Sequence, residues 1–118
     1  MTPNEIRQAL NQFTGTEGWH RFSILFPKVL LTDGTKFLAE TCGAYWLMDA
    51  ISSYLPEIND PFTIAILDKN STYHGGWCLR LVDDIPSRTV YAKQEIAFSD
   101  FPLEEIKLYV IRDADYTV

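Results

Sequence analysis

The sequence predicts an α+β fold, an antiparallel sheet of about five to seven strands with two helices packed on one face. Three observations lead there. The apolar period changes from two to roughly 3.6 near Gly43, inside LLTDGTKFLAETCGAYWLMDAISSYL at positions 30–55. Alternating runs then recur through the second half of the chain, and the segments joining them are too short for the crossover that parallel strands require. Finally, 118 residues that are 47% hydrophobic and 14% aromatic suffice for one sizeable core, so a single domain over 1–118 is expected.

The elements follow in order. Thr2-Pro3-Asn4-Glu5 reads as a helix start, with Thr2 as cap, Pro3 at the first helical position and Glu5 completing a capping box. Ile6, Ala9, Leu10 and Phe13 form its apolar stripe, and Gly15 is expected to end it. From Trp19, Phe22, Ile24 and Phe26 alternate with Arg21, Ser23 and Leu25 up to Pro27, which predicts a strand. Asp33-Gly34, flanked by 28–31 and 36–40, suits a tight turn, so a hairpin is expected there.

Past Gly43 the spacing is helical. Ala44, Leu47, Met48, Ile51 and Leu55 lie on one stripe, Trp46, Ala50 and Tyr54 on the next, and only Tyr45, Asp49, Ser52 and Ser53 form a polar strip. Leu47 and Ile51 are expected to face the sheet, and Trp46 the first helix or a partner; Pro56 closes the helix. Phe62, Ile64 and Ile66, then Trp77, Leu79 and Leu81, read as the inward faces of two strands joined through the loop 68–76. A strand over 88–98 and a terminal strand containing Ile106, Leu108 and Val110 complete the sheet.

Phe13-Thr14-Gly15-Thr16-Glu17, Leu31-Thr32-Asp33-Gly34 leading to Leu38-Ala39-Glu40, the GAYWL run at 43–47 and the DFPLEEIKLYV run at 100–110 occur in matching order over nearly the whole chain. In these the chain resembles a family of small uncharacterised proteins of bacteria, cyanobacteria among them, and of mobile elements. The resemblance implies a domain of unknown function with no assigned activity, and its pattern does not include Cys42.

Composition excludes some classes. A formal charge of −6 repels phosphate backbones, so nucleic acid is not an expected partner. The longest span-like run, 43–55, contains Asp49 and two serines and falls short of the roughly 20 apolar residues that cross a bilayer, so no membrane insertion is expected. Two cysteines do not make a disulfide framework, and no basic start followed by an apolar run marks a signal peptide; a cytoplasmic location is expected.

The sharpest catalytic candidate is Cys42, placed by this reading at the start of the buried helix, where partial positive charge favours a thiolate. His74 as base and Asp83 or Asp84 as its orienting group follow in the chain order of a papain-like hydrolase. Simple packing is the better account of a small apolar cysteine. A zinc site would have to recruit Cys42, Cys78, His20 and His74, whose spacing contains no C-x2-C or H-x3-H element. Asp83-Asp84, Glu104-Glu105, Asp113 and Asp115 read as solvated turns, and Gly75-Gly76 as a hairpin tip rather than a phosphate loop, because a strand and not a helix follows it. Neither a catalytic set, a metal nor a cofactor is therefore assigned.

Aromatic residues remain. Tyr73, Tyr91 and Tyr109 are expected to be exposed, and Trp46, Tyr54 and Trp77 to pack in the core. The reading is a small non-enzymatic module that binds a protein partner, a second copy of itself included. The alternatives are the cysteine hydrolase built on Cys42, His74 and Asp83, and an acidic inhibitor from a mobile element that imitates nucleic acid.

Overall fold

Thr2 opens the first helix as expected. In the computed structural model, which describes residues 2–13, 18–58, 61–69, 76–83, 89–97, 99, 101–112 and 116–118, its hydroxyl accepts the Glu5 N–H at 3.2 Å while the Glu5 carboxylate accepts the Thr2 N–H at 3.3 Å. The two bonds satisfy donors that a helix start leaves orphaned. The helix, α1 (Pro3–Leu10), buries Ile6 and ends at an Asn11 cap, four residues before Gly15, which lies outside the described residues.

The strand expected from Trp19 to Phe26 stops early, at β1 (Trp19–Arg21). Ser23 Oγ accepts the Leu25 N–H at 3.2 Å, a local turn that competes with the ladder, and Ile24 and Leu25 are 96% and 83% exposed. β2 (Val29–Thr32) follows and pairs antiparallel with β1.

The hairpin expected at Asp33-Gly34 is instead the first turn of a third helix, α2 (Asp33–Cys42). Thr32 caps it, accepting the Thr35 N–H at 3.3 Å, and Asp33 places a negative charge at the positive end of the helix dipole. Thr35, Leu38 and Ala39 form its buried face, a helical spacing that a turn reading overlooks. Gly34 serves close approach rather than turn geometry: a Cβ there would stand 3.2 Å from Phe13 Cβ, and the Phe13 and Phe37 rings meet at 5.5 Å.

Gly43 ends α2 in the left-handed region, φ 60°, where the missing Cβ avoids strain. α3 (Tyr45–Tyr54) begins two residues later and runs into a 3-10 turn at Leu55–Glu57. Leu47, Met48 and Ile51 are fully buried and Asp49 is exposed, as expected, but Ser52 from the supposed polar strip is buried too.

The remaining strands are β3 (Phe62–Asp68), β4 (Trp77–Asp83), β5 (Val90–Ile96), β6 (Glu105–Arg112) and β7 (Tyr116–Thr117). They form one seven-stranded sheet, ordered β1-β2-β7-β6-β3-β4-β5, antiparallel except where β2 meets β7. β5 is one edge; the other, β1, is only three residues long.

Register decides the faces. Ala65 pairs with Leu81 and Leu108, and Leu67 with Leu79 and Ile106. These residues share a core with Ile6 of α1, Leu38 and Ala39 of α2, and Leu47, Met48 and Ile51 of α3. Trp77, Leu79 and Leu81 thus face the helices as expected, whereas Phe62, Ile64 and Ile66 do not. They line the opposite face with Val82, in a second small apolar cluster. β3 is central and apolar on both faces, so alternation in its sequence carries no sign of which face is inward.

Candidate functional site

Of the sequence-nominated catalytic residues, the structure describes Cys42 and Asp83, and Cys42 is not where the sequence reading put it. Cys42 is the last residue of α2, at the negative end of a helix dipole and not at the positive end of α3. Burial raises its thiol pKa, which works against a reactive thiolate. Asp83 is buried and used locally: its carboxylate accepts the Thr89 N–H at 2.9 Å and its own N–H donates to the Thr89 carbonyl at 3.1 Å, bracing the link from β4 to β5. His74 and Asp84 lie outside the described residues. Cys78 faces away from Trp77 and Leu79, as its parity implies, and is buried. Desolvation pushes its thiol pKa up, against the lowering influence of Lys93 and Arg80. Among the described residues no group of three His, Cys, Asp or Glu side chains is placed to hold a metal ion.

Folding brings together a pair that sequence reasoning missed. His20 Nε2 stands 2.7 Å from Asp33 Oδ1, joining β1 to the first residue of α2. The pair sits beside a polar cleft of about 430 Å³ lined by Trp19, His20, Arg21, Lys36 and Tyr45 among others. Gly18 permits the approach, since a Cβ there would lie 3.1 Å from the same Asp33 oxygen. The pair locks strand β1 to helix α2. The capping signal at Thr32, read as a helix start, would have placed Asp33 in a helix first turn, but nothing local points to His20.

A second cleft, about 350 Å³ and mostly apolar, lies between 25–29, the end of α3 and Tyr116. Ser52 lines it, and among the described residues its buried Oγ has no hydrogen-bond partner.

The face of the sheet turned away from the helices carries an ordered pattern of side chains. The registers align its residues in rows that cross four strands. Tyr109, Ile64, Val82 and Val90 make one apolar row; Tyr109 and Val90 at its ends are 54% and 52% exposed, while Ile64 and Val82 between them are buried. Ile111 and Phe62 pair beside it, and the Phe62 and Tyr109 rings stack with centroids 5.7 Å apart. The next row, Lys107, Ile66, Arg80 and Lys93, is basic. The row beyond, Glu105, Asp68, Cys78 and Glu95, is acidic. Two ion pairs tie these rows together, Arg80 to Asp68 at 2.6 Å and Lys107 to Glu105 at 3.6 Å. Tyr91 and Tyr109 are exposed and Trp77 is buried, as expected, and Trp46 and Tyr54 pack partly buried against the core; Tyr73 lies outside the described residues.

The class so defined is an α+β protein whose sheet carries helices on one face and a patterned, partly apolar surface on the other. The chain belongs to the family described as "Family of unknown function (DUF6876)", whose model matches residues 4–118. No curated protein and no solved structure matches it. No helix among the described residues is long and apolar enough to cross a membrane.

Proposed function

We propose that this chain is a non-enzymatic, cytoplasmic protein-contact module that binds through the helix-free face of its sheet. The observation that carries the reading is the apolar row ending in Tyr109 and Val90, widened by Ile111 and the Phe62 ring, on a face that no described helix covers. Exposed aromatic and aliphatic side chains grouped beside polar ones are the composition of contact surfaces, where an aromatic anchor is enclosed by a charged rim. The partner that fits is a protein segment setting apolar side chains on the Tyr109 row and polar groups over the charged rows.

The cysteine-hydrolase reading has less support, because Cys42 sits at the wrong end of its helix and burial disfavours its thiolate. Charge mimicry also has less, since the acidic row of this face lies beside a row carrying Lys107, Arg80 and Lys93.

The test is affinity capture from the native host with the full chain, the wild type against Y109E and I111E. One partner enriched by the wild type and lost in both folded variants is expected. Capture of no protein, or of the same protein by all three, would overturn the reading.

A further inference from the structure

The basic and acidic rows of the open face both end at the sheet edge, on Lys93 and Glu95 of β5. Among the described residues nothing pairs with the outer side of this seven-residue strand. An open edge is a template for another strand unless it is guarded, and the irregularity opposite Leu81/Val82 leaves 92–96 as the regular stretch of this one.

From this pattern we infer that the partner at the β5 edge is a second copy of the chain, joined antiparallel about a two-fold axis at Gln94. The inference deepens the contact-module reading and rests on it. A two-fold axis perpendicular to a sheet maps each face onto itself, so directly opposed residues must share a face and the axis must pass through a residue position. Few choices exist, and the charges separate them. An axis at Lys93 opposes lysine to lysine, and one at Glu95 opposes glutamate to glutamate. An axis at Ala92 sets Lys93 against Tyr91. Only the axis at Gln94 opposes Lys93 to Glu95 of the second copy, twice by symmetry, and it sets Ala92 against Ile96 on the helix side.

The same axis aligns whole rows. The basic row Lys107, Ile66, Arg80, Lys93 continues across the edge into the acidic row of the second copy, beginning at its Glu95, and the acidic row continues into the basic one. Opposed charges lie about 5 Å apart at Cβ in such a ladder. Glu95 is already engaged within its own chain, and a carboxylate accepts more than one donor, so the new pairing adds to that engagement. On the helix side, Tyr54 of α3 donates its hydroxyl to Gln94 Oε1 at 3.1 Å and so stands beside the axis. The apolar rows of the two copies then lie on one continuous fourteen-strand face, which doubles the surface offered to a further partner.

Sedimentation equilibrium of the full chain tests the inference, with K93E, E95K and the double variant K93E/E95K compared at low and physiological salt and each checked for folding by circular dichroism. The wild type is expected to dimerise, each single reversal to weaken the dimer about 10-fold or more by opposing like charges at two symmetric sites, and the double variant to regain wild-type affinity. Added salt is expected to lessen the penalty of each reversal. A wild type that stays monomeric, with Lys93 then a guard of the edge, overturns the inference. So does a dimer indifferent to both reversals, or one that the double exchange does not restore. A monomer whose Y109E variant still loses its partner sinks the dimer alone; a charge-sensitive dimer whose Y109E variant keeps the same partner sinks the sheet-face reading alone.

Discussion

Tyr109 lies over Phe62 on the open face of the sheet, diagonal across the β3–β6 ladder, ring centroids 5.7 Å apart. The two rings sit on neighbouring strands. A double-mutant cycle with F62A and Y109A is expected to give a coupling of about 0.5–1.5 kcal/mol by chemical denaturation. A coupling near zero would mean that the rings do not hold each other in solution.

Leu47 and Ile51 anchor α3 in the main core and are 1% and 0% exposed, whereas Asp49 between them faces solvent. Truncating either aliphatic residue to alanine is expected to cost about 2–5 kcal/mol, a large share of ordinary domain stability. Asp49→Ala is expected to change stability by less than about 0.5 kcal/mol. Equal small losses in urea titrations of all three would show that α3 is peripheral.

Gly43 holds φ 60°, and a Cβ added there meets nothing within 4 Å. The cost of Gly43→Ala is therefore purely backbone, about 1–2 kcal/mol, with Gly43→Asn falling between the two. Thermal melts of the pair separate this from packing, since packing damage would make the larger asparagine worse.

Ser52 buries an Oγ that has no hydrogen-bond partner among the described residues. Ser52→Ala removes that unsatisfied group and is expected to be neutral or to stabilise by up to about 1 kcal/mol. A loss above that range would reveal a bonded hydroxyl.

Burial raises the pKa of Cys42 and Cys78, so both populate less thiolate at neutral pH than a free cysteine does. Alkylation by iodoacetamide is expected to be slow near pH 7 and to rise with pH through and beyond the ordinary thiol range, read by mass spectrometry. Fast modification of Cys42 at neutral pH would return the hydrolase to consideration.

Local signals in the sequence settled the elements that depend on near neighbours. The Thr2–Glu5 capping box, the enclosed helix after Gly43 and the alternation of Trp77-Leu79-Leu81 and of Ile106-Leu108-Val110 were all legible, because caps and periodicity act within a few residues. The same local reading misplaced Asp33-Gly34, since an aspartate before a glycine suits a tight turn and a helix first turn alike. The buried spacing of Thr35, Leu38 and Ala39 was the signal that distinguished them.

By itself, then, the sequence determined the α+β class, the exposure of Tyr91 and Tyr109 and the burial of Leu47 and Ile51. Tertiary structure alone decided that Ile64 and Ile66 turn away from the helices, that His20 meets Asp33, and that Cys42 closes one helix instead of opening the next. It also decided the charge rows, for Lys107, Arg80 and Lys93 are scattered over 28 positions and become neighbours only through strand pairing. The physical reason is register: a shift of one residue exchanges the two faces of a strand, and what fixes that shift is the packing of distant segments.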